Sequence, residues 1–269
     1  MPRLRFLLGL VLLAASGLIF IPSAPGQTAT NRFSFDDYLM SPVRVHLLLA
    51  KDSPAIQTTL TENDIARILK KVNGVWSQAG LHFYLESLVR EEAIHQEIYA
   101  QPGQQADRLA LLGLRPTESK ATNLFHIYFL KEMSMNGIYF PEAIFVKDTA
   151  SLRSVEGGIH EPLPRVTSHE LGHAFNLPHR QNTTNLMASG TTGTWLNEGE
   201  IEQARGAARA FNWVETAPDL VKQADALFRA GKLKKAAVLY SRLATIPLKD
   251  DQVELAKKRA TKENQTYSN

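Results

Sequence analysis

The chain reads as an α+β protein, a twisted mixed sheet with a functional helix against it, followed by a small helical hairpin. Three observations carry that reading. Between Val43 and Phe211, runs rich in β-branched and aromatic residues alternate with stretches whose apolar residues recur at helical spacing. After Trp213 the strand-type runs stop and only helical spacing remains. The 269 residues are 44 % hydrophobic and 21 % charged, which suits one medium domain with a small addition.

Val43–Leu49 is a β-rich run suited to a buried strand. Thr61 and Asp64 then make a capping-box-like start to a helix through Ile65, Ile68, Leu69, Val72 and Trp76, which stops at Gly80. Leu81–Leu88 alternates as a second strand and Asn123–Leu130 is a third. Between them, residues 91–121 are polar and contain Gly and Pro, so they read as a surface insertion with one helical patch at Ala106–Leu112. Gly137–Phe140 and Ala143–Val146 form a short pair split by Pro141, which a sheet edge tolerates. Helices at Leu163–Phe175 and Asn197–Phe211 complete the unit, the second placing Ile201, Ala204, Ala208 and Phe211 on one face.

The first of these two helices carries His169-Glu170-Leu171-Gly172-His173. Side chains four apart share a helical face, so His169 and His173 present two imidazoles to one ion. Glu170 sits beside them, angled towards a water instead, which is the logic of a hydrolytic zinc site. Such a site keeps three protein ligands and leaves one position open. His179 is the third candidate, because Pro178 disfavours helical geometry at Leu177 and the chain can bend at Asn176, a residue tolerant of positive φ. The candidate set is therefore His169, His173 and His179 for Zn2+, with Glu170 as general base. His46, His82, His95, His126 and His160 lack ligand spacing; the three in strand runs, His46, His82 and His126, are expected to be packed or surface residues.

From His169 to His179 the sequence is HELGHAFNLPH, and Asn185-Leu186-Met187 follow. This resembles the metzincin clan of zinc endopeptidases, whose signature is H-E-x-x-H-x-x-G-x-x-H followed by a Met-containing turn. The short step from His179 to Met187 looks most like the matrixin branch. Asn176 stands where the clan has its turn glycine, a departure that adds slight strain. The direct match covers about twenty residues, and the order of elements extends it loosely over the part of the chain before them. The resemblance implies a metzincin-like catalytic domain, a three-histidine zinc site and peptide hydrolysis. It also implies a substrate lying extended beside the edge strand within Gly137–Val146, with Ser189–Trp195 forming part of the pocket for the residue after the cut.

Arg3 and Arg5 precede an apolar run from Phe6 to Ile21, and Ser23-Ala24-Pro25-Gly26 offers small residues for cleavage. Residues 1–26 read as a secretory signal peptide or, uncleaved, a membrane anchor, so the bulk of the chain is expected to be secreted or periplasmic. The absence of cysteine leaves an exported protein to its core and metal for stability, and excludes a thiolate-to-zinc latency switch.

Thr216-Ala217-Pro218 reads as a linker, dividing a catalytic unit at 27–216 from a second unit at 217–269. In the latter, Ala224, Leu227, Phe228, Gly231, Ala236, Tyr240 and Leu243 follow the spacing of helix, tight turn and helix. This resembles one tetratricopeptide-type repeat, with a basic tail beyond Pro247; a plain hairpin docked on the catalytic unit has the same pattern. Residues 217–269 carry 11 Lys and Arg against 6 Asp and Glu, net +5, while 27–216 carry 17 against 21, net −4. The basic segment suits an anionic surface or a solvated helix face, and no motif for sequence-specific nucleic-acid binding accompanies it.

The sequence thus predicts an exported zinc endopeptidase acting on peptide or protein substrates, with a membrane tether open at its N-terminal segment and a protein partner at its hairpin. Two other readings fit the same residues: an interaction protein with a structural metal and a partner-binding hairpin, and a zinc hydrolase of cell-wall peptide cross-links. Glu170 counts against the first, since a structural zinc needs no base beside an open position. Residues 27–216 are expected to fold and keep their site without the hairpin.

Overall fold

The computed structural model describes residues 32–51, 53–99, 108–116 and 120–266. The segment expected as signal or anchor, and the first two residues of the Ala106–Leu112 patch, lie outside them. Among the described residues, no helix is long and apolar enough to cross a membrane.

The elements run β1 (Leu39–Leu49), α1 (Glu62–Trp76), β2 (Leu81–Glu92), α2 (Gln96–Tyr99), α3 (Arg108–Gly113), β3 (Phe125–Leu130), β4 (Gly137–Phe140), β5 (Ala143–Lys147), α4 (Pro162–Ala174), α5 (Glu198–Ala210), β6 (Glu215–Thr216), α6 (Ala217–Arg229), α7 (Leu233–Leu243) and α8 (Asp251–Thr266). The sheet order is β2-β1-β3-β5-β4, with β6 against the start of β1. β1, β2, β3 and β5 are parallel, while β4 lies antiparallel to β5 and β6 antiparallel to β1. The α+β class with a mixed sheet is what the sequence predicted, and β4 is an edge strand.

Local signals explain most boundaries. Thr61 caps α1 through Asp64 N while the Asp64 side chain accepts from Thr61 N, and Asn197 and Glu200 do the same for α5. Gly80, at φ 59°, turns the chain out of α1 and its 3-10 extension into β2, where Phe33 and Arg205 leave no room for a β-carbon. β1 starts earlier than its apolar run suggests, at Leu39, and contains Pro42. Pairing with β3 begins only at Val43, so the missing N–H of Pro42 breaks no bond on that side.

One sheet face, through Val45, Leu47, Ile127, Phe129 and Val146, packs on Ile65, Ile68 and Val72 of α1 and Leu171 of α4. This is the layer that positions the candidate site. The other face packs Leu48, Tyr128, Leu130 and Phe145 under Leu111 and Leu114. His46 and His126 are buried there, with His46 Nδ1 2.6 Å from Glu91 Oε1 and Nε2 2.8 Å from His126 Nδ1. His82 is buried as well, against Thr245.

The C-terminal segment differs from its expected form in two ways. Thr216 is not in a free linker: β6 pairs Thr216 with Leu39, Ala217 N donates to Tyr38 O (2.9 Å), and Thr216 caps α6. The expected basic tail is largely the third helix, α8, whose Val253 and Ala256 join a cluster with Tyr240 and Leu243. That same cluster includes Phe35, Tyr38, Met40 and Tyr84 from the sheet unit.

Candidate metal centre

α4 opens on Pro162 and Pro164, tolerated in a first turn where the N–H groups have no intrahelical partner. It ends where the sequence predicted. Asn176 takes φ 62°, its N–H donates to His173 O (2.9 Å), and Leu177 N donates to Gly172 O (3.0 Å). This is a Schellman end with Asn in the left-handed position usually held by Gly. The reversal carries Pro178 and His179 back towards the helix.

The three imidazoles meet. His169 Nε2 lies 3.2 Å from both His173 Nε2 and His179 Nε2, and the latter two are 3.1 Å apart. Among the described residues this is the one cluster of three or more His, Cys, Asp or Glu side chains arranged to hold a metal ion. His169 Nδ1 donates to Leu186 O (2.8 Å) and His173 Nδ1 to Leu177 O (2.9 Å). Both bonds fix the tautomer that leaves Nε2 with its lone pair towards the cluster. Burial holds His169 down at about 3, with the Arg165 guanidinium adding to the effect, and burial also lowers His173. Neutral imidazole is the form that ligates.

Glu170 is 6 % exposed and adjoins this cluster. Burial pushes its carboxyl up to about 8, opposed by Arg165. A β-carbon at Gly137, the first residue of β4, would come 2.7 Å from Glu170 Oε1, so only glycine lets the edge strand begin there. Met187 is fully buried beneath α4, its Sδ filling the space that a side chain at Gly172 would take.

The loop beyond α4 is fastened from two sides. Arg180 N donates to Met187 O (2.9 Å), and Arg180 Nε to Glu200 Oε1 (2.6 Å). Glu200, 1 % exposed, also accepts from Asn185 Nδ2 (2.8 Å), while Asn185 Oδ1 accepts from Met187 N (2.7 Å). On the inner side Arg165 donates to Leu186 O and Gly193 O. Sequence reading passed over Glu200 and Arg165, and used Gly137 only as the start of the edge strand. Only Glu200 left a trace there, as the third residue of a capping box.

The three histidines, Glu170, Arg165 and Gly137 line a cleft of about 740 Å³ between β4, α4 and the loop. Ser189 and Gly190 contribute to its wall; Thr191–Trp195, also expected there, do not, and His160 lies outside it. Among the described residues, no strand pairs with the outer edge of β4, whose Gly137, Ile138 and Tyr139 line the cleft.

Neither a family model nor a curated protein sequence matches this chain. Among solved structures, the fold is similar to metalloproteinase-II from Bacteroides fragilis, with a TM-score of 0.40 and 12 % identity over 65 % of this chain and 54 % of that one. It is also similar to a zinc-dependent peptidase from Methanocorpusculum labreanum strain Z, with a TM-score of 0.32 and 11 % identity over 62 % of this chain and 99 % of that one. The chain spans about half the length of the first.

Proposed function

We propose that this protein is an exported, zinc-dependent endopeptidase of metzincin type, closest in motif to matrixins. The observation that carries the reading is the triangle of Nε2 atoms 3.1–3.2 Å apart beside the Glu170 carboxyl in an open cleft. Nitrogens bound tetrahedrally to zinc at about 2.0–2.1 Å stand roughly 3.3–3.4 Å apart, so the triangle suits that ion with little movement. His169, His173 and His179 would hold it. Bound there, Zn2+ supplies Lewis acidity, acidifying a water and polarising the scissile carbonyl.

The chain's own residues do the rest. Glu170 accepts the proton of the attacking water and passes it to the leaving amine nitrogen. Burial raises the proton affinity of its carboxyl above that of a free carboxylate, which suits a group that must take a proton from water. The outer edge of β4 holds the substrate backbone extended, as an added strand. Ser189 and Gly190 then wall the pocket for the residue after the cut. A base in an open cleft disfavours the reading of a structural metal in an interaction protein.

The test is metal content by elemental analysis together with cleavage of a peptide library by the full chain, before and after chelation and zinc add-back. Near-stoichiometric zinc and chelator-sensitive cleavage are expected. Cleavage that survives complete metal removal, or no cleavage by zinc-loaded protein, overturns the proposal.

A further inference from the structure

Arg165 lies one turn before His169 on α4, is 2 % exposed, and lines the cleft. It is held rigidly: Nε donates to Gly193 O (3.1 Å), and Nη2 to Leu186 O (2.8 Å) and Ala188 O. Those carbonyls belong to the loop that supplies Ser189 and Gly190 to the wall. Nη1 makes no hydrogen bond among the described residues, yet it is absent from the fully enclosed atoms that lack a partner. It is the one Arg165 nitrogen left without a partner, in a residue that lines the cleft.

A guanidinium keeps its charge at any ordinary pH. Three carbonyls satisfy hydrogen bonds but bring no counter-charge, and leaving a buried cation without one is costly. Among the cleft-lining residues Arg165 is the one Lys or Arg and Glu170 the one Asp or Glu. Glu170 is its charged neighbour there, near enough for each to bear on the other's ionisation but not in ion-pair contact, and that carboxyl is engaged as the base. A second anion at the free nitrogen would complete the neutralisation of the cation.

We infer that Arg165 is a specificity-determining residue whose Nη1 receives a carboxylate carried by the residue immediately after the scissile bond. The inference rests on the peptidase reading above. The carboxylate has two sources, an Asp or Glu side chain or the end of the peptide chain, and both present the same oxygen atoms to the fixed N–H pair.

The test takes the best-cleaved library peptide and varies only the residue after the cut. Amidated peptides carry Glu, Gln, Leu or Lys there, and a fifth peptide ends at Leu with a free carboxylate. For the zinc-loaded full chain, kcat/KM for Glu should exceed that for its isostere Gln by about tenfold or more, with Lys the poorest. If only the free-acid peptide is favoured, the chain end is the source. In Arg165→Met the ratio of Glu to Gln cleavage should fall to near one, whatever the variant's overall rate. Should that variant not fold, the wild-type comparison decides alone. Equal rates for Glu and Gln, together with no advantage for the free acid, overturn the inference and leave the peptidase reading intact. Zinc-loaded protein that cleaves none of the peptides overturns both.

Discussion

Gly172 and Met187 interlock: the sulfur of Met187 occupies the space that a β-carbon on Gly172 would need. Gly172 lies between the two helical histidines, so whatever fills the floor beneath it also sets the height of the α4 turn that carries them. Overpacking here should be felt at once, because neither partner is exposed. Gly172→Ala is expected to destabilise the fold by about 1–3 kcal/mol. Met187→Leu, near volume-conserving, should cost of order 1 kcal/mol and retain zinc. Denaturant unfolding of Gly172→Ala, Met187→Ala and the double variant measures the coupling; strictly additive losses would mean that the two residues do not share one space.

Glu170→Ala should keep zinc and lose hydrolysis by about 10²–10⁴-fold or more. The three imidazoles are fixed by helix, turn and backbone carbonyls, none of which involves the Glu170 side chain. Zinc content and initial rates on one peptide check both halves. A variant that turned over like wild type would remove Glu170 from the mechanism.

His179→Ala leaves two ligands on one helix, and two cannot complete a three-ligand site. Its zinc content after extended dialysis should fall to a small fraction of the wild-type value. Full occupancy would show that another side chain supplies the third nitrogen or oxygen.

His82 sets a pH limit on the fold away from the metal. It is fully buried, its Nδ1 has no partner, and burial lowers its pKa to about 3. The unfolded chain takes up a proton there below about 6.5, whereas the fold does not. The contribution is therefore fully present above that pH and is lost as pH falls towards the folded value, amounting to about 2 kcal/mol by pH 5. His82→Gln should flatten the dependence of unfolding free energy on pH between 7 and 5. An unchanged slope would place the acid sensitivity elsewhere.

Removal of residues 217–269 should not leave the sound catalytic core that the sequence suggested. Tyr38, Met40 and Tyr84 pack into the cluster formed by α6, α7 and α8, and β6 is already paired to β1 at the cut. A chain ending at Thr216 is expected to melt well below the full protein and to precipitate on heating. Equal melting temperatures would establish the helices as an independent unit.

Much of the site was legible because its determinants are local. Two histidines four apart, a proline and an asparagine specify helix, stop and reversal within eleven residues, and the observed φ of Asn176 follows from that chemistry. The capping box at Thr61 marked a helix start for the same reason; the one at Asn197 was as local but went unread. Arg165 was not legible: an arginine within a helix has no periodic signature, and its meaning comes from carbonyls 21 to 28 residues away. The start of β1 at Leu39, four residues before the apolar run read at Val43, was not legible either, because the sequence does not show which neighbouring strand begins where. The linker expected at Thr216 failed on a tertiary fact, its pairing with Leu39.

The sheet's two margins also bear on how copies of this protein treat one another. An open strand edge is a template for other strands as well as for a peptide. β4 is only four residues long and is followed directly by Pro141 and a turn, which is enough to grip a short ligand but too little to nucleate a second sheet. The opposite margin, β2, is three times as long, and from its midpoint onward it carries Glu86, Arg90, Glu91 and Glu92. Stacking one copy's β2 on another would bring those carboxylates together and strip their water. The margin left open for a substrate is the short one, and the long one is guarded by charge, so strand-to-strand assembly between copies is discouraged at both.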